Sequence, residues 1–186
     1  FKKYQLREGD NAAWVWEHQA LTRARFSAGN PSVGEFFDSV RSEVLSQPRD
    51  IHHLRLEILE MRRKVHAGHP NANVDFDLKH DAGGMVDIEF IVQFFVLAYS
   101  HQFPALLGNL GNIALLHIAA EHQLISEVEA IEMANAYRMF RAQQHRLRLD
   151  GAEKTRIPID EHPEFAHARA HVSTIWKKVF GVSSHP

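Results

Sequence analysis

Apolar residues recur at three- and four-residue spacings along most of this 186-residue chain, which is the period of an amphipathic α-helix. Glycine, proline and asparagine interrupt the pattern at intervals that suit short connections between helices. The pattern therefore predicts an all-α fold, with a single helical bundle of about six or seven helices over residues 1–186. The expected helices run over about 11–28, 32–48, 51–68, 84–101, 112–124, 127–149 and 163–180.

Polar residues predict where several of these helices begin. Asp10 and Asp50 are expected N-caps, because a carboxylate accepts hydrogen bonds from the free amides of a first turn. Residues 32–35 and 126–129 both read Ser-x-x-Glu, the capping box that closes a helix N-terminus. Residues 74–78 alternate apolar and polar, and are expected to form a short strand or an extended strip packed on the helices.

The helix expected at about 84–101 is apolar around nearly its whole circumference, which places it at the centre of the bundle. Asp87 and Glu89 interrupt it, and a buried carboxylate is costly unless it is paired. A structural interpretation is a helix-dipole contact for Asp87 and a buried ion pair for Glu89. A functional interpretation is that they align a metal, a base or a cationic partner at a pocket edge. Their side chains diverge on the helix, so they cannot chelate one ion together without help.

Gly83 and Gly84 lie just before this helix, where free amides can bind phosphate. Lys79, close before them, would add a positive charge to such a site. A plain turn with a solvated lysine is the simpler interpretation, because the chain contains neither GxxxxGK[ST] nor GxGxxG.

Composition excludes several classes of function. The net charge of −2 gives no basic field for non-specific nucleic-acid binding. No charge-free run reaches the ~18 residues of a membrane span, and no signal peptide is visible. The absence of cysteine excludes disulfides and thiolate metal sites, and fits a cytoplasmic location.

Fourteen histidines raise the question of a metal site. His66, His69, His80 and Asp81 lie close in sequence, and His80-Asp81 is similar to the His-Asp pair of metal-dependent phosphohydrolases. That pair lies on a helix in those enzymes, whereas residues 82–84 here read Ala-Gly-Gly. A phosphohydrolase is therefore one alternative, and a loop of solvated histidines is the simpler interpretation.

Arginines on two helices are the natural counter-charges for Asp87 and Glu89. Arg23 and Arg25 lie on the first predicted helix. The long helix at 127–149 carries Arg138, Arg141, Arg146 and Arg148. Each arginine taken singly also suits a solvated helix face.

Three stretches resemble signatures of the glutamine synthetase adenylyltransferase family. Residues 14–25 read W-V-W-E-H-Q-A-L-T-R-A-R, similar to W-x-W-E-x-Q-A-L-x-R-A-R. Residues 77–93 match D-x-K-x-x-x-G-G-x-x-D-I-E-F-x-V-Q, and residues 137–147 match Y-x-x-x-R followed by H-R-L. The matches follow the family order and cover the chain from about Tyr4 to Leu149.

The resemblance implies a piece of a bifunctional enzyme. One half of such enzymes transfers AMP from ATP to a tyrosine of glutamine synthetase, and the other half removes it by phosphorolysis. The E-H-Q-A-L and D-I-E-F forms are more similar to the C-terminal, adenylylating half. The family's metal-binding carboxylates lie upstream, in a nucleotidyltransferase domain that this chain lacks, and the chain begins Phe1-Lys2-Lys3 without Met. Mg²⁺ and ATP are therefore expected on that domain, and the piece alone is expected to be inert and without metal or cofactor.

The resemblance also implies that the chain forms one wall of the active-site cleft. Lys79, Asp87, Glu89, Arg23 and Arg25 are the cleft-facing candidates. Lys79 and Arg25 are expected to neutralise nucleotide phosphates, which Asp87 or Glu89 would help to orient. The expected partners are glutamine synthetase, the PII signalling protein and the upstream domain. The alternative is an interaction module that binds glutamine synthetase or PII and leaves the chemistry to its neighbour.

Overall fold

The structure is a computed structural model that describes residues 1–8, 10–182 and 184. This part of the chain is predominantly helical, so the all-α prediction is confirmed. Its α-helices are α1 (Lys2–Gln5), α2 (Val15–Leu21), α3 (Pro31–Leu45), α4 (Ile51–Gly68), α5 (Met85–Tyr99), α6 (Asn112–Glu121), α7 (Glu127–Leu149) and α8 (Pro163–Phe180). Short 3₁₀ helices cover Pro104–Leu107 and Ile159–Glu161. No helix in these described ranges is both long enough and apolar enough to cross a membrane.

Side-chain caps begin three of the long helices. Asp50 accepts a hydrogen bond from the amide of His53 at 2.7 Å, as predicted for α4. The capping box of α7 is also confirmed, since Ser126 and Glu129 each accept the other's backbone amide. The capping box predicted at residues 32–35 is wrong. Asn30 caps α3 by accepting the Ser32 amide, and Pro31 takes the first helical position.

The helix predicted over residues 11–28 is wrong at both ends, because α2 covers only Val15–Leu21. Its beginning is held by Glu17, whose carboxylate accepts the amide of Trp14 at 2.8 Å. Asp10, the predicted cap, is therefore not the residue that starts it. The segment before α2 instead contains the single-turn helix α1.

Arg41 of α3 ends α2. Its Nε donates to the carbonyl of Leu21 at 3.0 Å, and its Nη2 donates to the carbonyl of Thr22 at 2.6 Å. A continuing helix would use those carbonyls for amides four residues later. The guanidinium binds both carbonyls, the Leu21 carbonyl also accepts the Ala24 amide at 3.2 Å in a tighter turn, and residues 24–27 are irregular.

The predicted strand at 74–78 exists as the two-residue β1 (Phe76–Asp77). Its partner is β2 (Arg156–Ile157), which pairs with it antiparallel so that Asp77 lies opposite Arg156. This pairing, which the sequence pattern did not predict, joins the loop before α5 to the segment after α7.

The chain divides into two compact units. The first contains residues 1–58 and 93–111. Within it, Ser100 donates to the carbonyl of Leu45 at 2.6 Å, and Gln19 donates to Gln93 at 2.9 Å. The Gln19–Gln93 bond joins two of the stretches on which the family resemblance rests.

The second unit contains residues 59–92 and the chain from Asn112 onward. Phe76, Phe140 and Trp176 are fully buried in it, and the rings of Phe76 and Phe140 meet edge to face at 5.7 Å. Arg169 of α8 lies 4.7 Å from the centre of the Phe76 ring. The loop before α5 is thus anchored on α7 and α8.

Candidate functional site

Asp87 and Arg62 form a fully buried ion pair in the second unit. Both side chains are 0% exposed, and Arg62 Nε donates to Asp87 Oδ1 at 2.6 Å. Arg62 Nη2 donates to the carbonyl of His80 at 2.8 Å, and Gly83 donates its amide to Asp87 Oδ2 at 2.7 Å. The pair therefore holds the loop between β1 and α5 at two points.

This arrangement corrects the predicted partner of Asp87. The counter-charge is Arg62 on α4, and not an arginine of the first helix or of α7. Arg138, Arg141, Arg146 and Arg148 are exposed along α7. A four-residue spacing in the sequence could have indicated Arg62. Leu54, Ile58 and Arg62 follow one another at this spacing and lie on one buried face of α4.

Glu89 lies two residues further along α5 and is partly exposed. Its carboxylate accepts a hydrogen bond from the hydroxyl of Tyr137 at 3.0 Å. Tyr137 belongs to α7, so one partner of Glu89 lies on a helix from which the sequence predicted a partner. Glu89 thus keeps solvent access, whereas Asp87 does not.

The two glycines are buried, and neither amide is free. Gly83 donates to Asp87, and Gly84 donates to the carbonyl of Asp81 at 3.0 Å. Gly83 has φ +77, and a Cβ there would lie against the carbonyl of Arg169 and 2.7 Å from Ser173 Oγ. The glycines therefore serve a tight turn and a close approach to α8. A phosphate cradle would require these hydrogen bonds to break.

Asp77 fixes the start of the loop. Its Oδ1 accepts the amides of Lys79 at 2.9 Å and His80 at 3.0 Å, and Arg156 Nε lies 3.8 Å from Oδ2. Burial acts to raise the pKa of Asp77, but the His80 side chain and these two amides outweigh it and lower the pKa to about 2. The carboxylate is therefore ionised at neutral pH and braces the backbone around Lys79.

Lys79 is exposed at the tip of this braced loop and lines a groove of about 530 Å³. Arg148, Lys154 and Arg156 are the other strongly basic residues of its lining. Asp77 and Glu153 are its acids, so positive charge is in excess.

Arg23 and Arg25 lie in the first unit, just after α2, and both are exposed. In the same stretch, His18 and Gln19 are buried, and His18 bonds to Gln5 and Arg49. Burial, followed by the charge of Arg49, lowers the pKa of His18 to about 4, so it is neutral at pH 7.

The histidine cluster has a structural arrangement. The rings of His69 and His80 stack with centroids 3.9 Å apart, and Asp81 accepts hydrogen bonds from Asn71 and from the amide of Asp77. Within residues 1–8, 10–182 and 184, no three histidine, aspartate or glutamate side chains converge as metal ligands would.

Comparison of the sequence with known protein families identifies a matching family. The model of the family described as GlnD PII-uridylyltransferase matches residues 52–178. The chain belongs to this family. The match covers the Arg62–Asp87 pair and the groove, whereas residues 14–25 lie before it.

Individual relatives match almost the whole chain. Proteins named bifunctional glutamine synthetase adenylyltransferase/adenylyl-removing enzyme are 55% identical in Burkholderia mallei, 56% in Ralstonia nicotianae and 49% in Nitrosomonas eutropha. Each alignment covers 97% of this chain but only 19–20% of the relative. The predicted resemblance is confirmed, and the chain spans about a fifth of the length of these relatives.

Replacing Gly83 by alanine tests the close approach to α8. Gly83→Ala should lower the free energy of unfolding by about 2–4 kcal/mol, through left-handed strain and overlap with the α8 backbone. Gly151→Ala is the matched control, because Gly151 has φ +82 and open space around it. Denaturant unfolding of both variants measures the difference. Equal losses would show that the contact with α8 contributes nothing.

The lowered pKa of Asp77 predicts a pH-dependent stability. Asp77→Asn should reduce the free energy of unfolding by about 1–2 kcal/mol at pH 7. Because the folded-state pKa lies below the ordinary value, this contribution is present above about pH 4 and disappears as pH falls towards 2. Denaturant unfolding across that range, with exposed Asp10→Asn as control, checks it. A difference that stays constant down to pH 2 would contradict the assignment.

Proposed function

We propose that this chain is a helical domain of an enzyme that transfers AMP from ATP to a tyrosine of glutamine synthetase and also reverses the reaction. The observation that carries this proposal is the 55% identity, over 97% of the chain, with a relative named for both activities. The chain belongs, on this proposal, to the C-terminal, adenylylating half of a cytoplasmic enzyme.

The chemistry is divided between domains in this proposal. ATP and Mg²⁺ bind mainly to an upstream nucleotidyltransferase domain, and this chain supplies a wall of the cleft. Lys79 and Arg25 are proposed to face nucleotide phosphates, because both are exposed cations within the stretches that match the family signatures. Glu89 is proposed to help orient these phosphates, since it is the acid of α5 that keeps solvent access. Asp87 contributes by holding the loop that carries Lys79.

A second candidate is an interaction module for glutamine synthetase or PII. Trp14 and Trp16 favour it, because they are 66% and 49% exposed, and exposed aromatic residues are common anchors at protein interfaces. Their neighbours His18 and Gln19 are buried, so the stretch is held rigidly. Three results together would favour this candidate. The chain would bind glutamine synthetase or PII, the double variant Trp14→Ala with Trp16→Ala would abolish that binding, and the chain would show no affinity for nucleotides.

Glu89→Gln in the full-length enzyme tests the proposal that the Glu89 carboxylate contributes to catalysis. Glutamine can still accept the Tyr137 hydrogen bond, so this change removes the negative charge and keeps that contact. Adenylylation of glutamine synthetase should fall by roughly tenfold or more, equivalent to about 1.4 kcal/mol of transition-state stabilisation.

Two further variants separate charge from structure. Tyr137→Phe removes the hydrogen bond and keeps the carboxylate, so it should cost about 1 kcal/mol of stability and less activity than Glu89→Gln. Glu121→Gln, at an exposed acid of α6, should change neither. Unchanged turnover in Glu89→Gln would reject the catalytic role of this carboxylate.

A further inference from the structure

The groove beside Lys79 has the size and composition of a small-molecule site. Its volume of about 530 Å³ falls within the range of ~300–1,000 Å³ that such sites occupy. Three segments of the second unit line it: residues 68–80, the end of α7 and residues 153–156.

Its cations come from all three segments. Lys79, Arg148, Lys154 and Arg156 outnumber Asp77 and Glu153, although the chain as a whole carries a net charge of −2. This local excess of positive charge runs against the composition of the protein. It favours an anionic ligand.

The ends of Lys79 and Lys154 are available to such a ligand. Both residues are exposed, and neither forms an ion pair with another residue in the described part of the chain. An ammonium group is a mobile point charge that reaches phosphate oxygens readily.

The guanidinium of Arg156 also retains donor capacity. Its Nε is buried and makes no hydrogen bond to the described residues, because the nearest carboxylate oxygen of Asp77 is 3.8 Å away. A buried donor without an acceptor is costly, so a ligand oxygen that reached this guanidinium would be favoured.

The groove is held in place before any ligand arrives. Asp77 fixes the backbone of Lys79, the β1–β2 pairing fixes Arg156, and the stacking of His69 fixes the His80 ring at the rim. A site that is already ordered loses little conformational entropy on binding.

We propose that this groove binds the phosphate groups of a small molecule, with Lys79 and Lys154 as its principal contacts and Arg156 and Arg148 as the supporting charges. Two or more linked phosphates suit the spread of cations over three chain segments. The inference rests on the proposed function only for the general role of Lys79, and it adds a specific groove and its remaining contacts.

Direct binding to this 186-residue chain is the test, measured by isothermal titration calorimetry with inorganic pyrophosphate, ATP, AMP and succinate. Pyrophosphate and ATP should bind at one site, AMP more weakly, and succinate not measurably. ATP binding more tightly than pyrophosphate would identify a nucleotide as the source of the phosphates, and equal affinities would show that the phosphates alone are recognised.

The double variant Lys79→Ala with Lys154→Ala should weaken pyrophosphate and ATP binding by about tenfold or more. Lys3→Ala with Lys177→Ala is the matched control, because it removes the same charge from two exposed lysines outside the groove and should change affinity less than about twofold. The thermal unfolding midpoint of each variant confirms that it is folded.

Three results would overturn the inference: no binding of pyrophosphate or ATP at roughly millimolar concentration, full affinity in the Lys79/Lys154 variant, or succinate binding as tightly as pyrophosphate. Failure of the proposed function is a separate result, because that would appear as absent adenylylation in the long enzyme. The calorimetric test needs neither glutamine synthetase nor turnover.

Discussion

The buried ion pair between Arg62 and Asp87 is the constraint on which the loop before α5 depends. Both side chains are withdrawn from water, so each charge is tolerated because the other is present and because backbone groups add further hydrogen bonds. Arg62 reaches the carbonyl of His80, and Asp87 takes the amide of Gly83, so one pair closes the loop from both sides. The energetic puzzle of an acid at the beginning of an apolar helix is resolved by an arginine that lies on the buried face of α4.

Much of the signature around residues 77–93 follows from this constraint. The glycines permit a turn and a close approach to α8, and Asp77 accepts the amides of Lys79 and His80. The residues that suggest catalysis or ligand binding in the sequence therefore have mainly structural roles. Together they position Lys79 and leave Glu89 partly exposed. A rigid presentation of this kind is what a cleft wall or a preorganised anion site requires.

The sequence predicted features whose causes lie within a few residues. The caps at Asp50 and Ser126, the ends of α4 and α8, and the buried central helix all depend on neighbours one turn away. The features that the sequence did not predict depend on contacts between residues far apart in the chain. Arg41 of α3 ends α2, Arg62 pairs with Asp87 across 25 positions, and β2 pairs with β1 although the two strands are far apart in sequence. Local periodicity carries no information on which arginine will reach a buried acid. The Leu54, Ile58 and Arg62 spacing shows only that this arginine faces inward.

A double-mutant cycle on the pair tests the central claim most directly. The unfolding free energies of the chain, Arg62→Met, Asp87→Asn and the double variant would be measured in denaturant. Each single change should cost about 3–5 kcal/mol, because it leaves an uncompensated buried group, and the double variant should lose at least about 2 kcal/mol less than the sum. Additive losses would show that the two residues do not act as a pair, and would contradict the account.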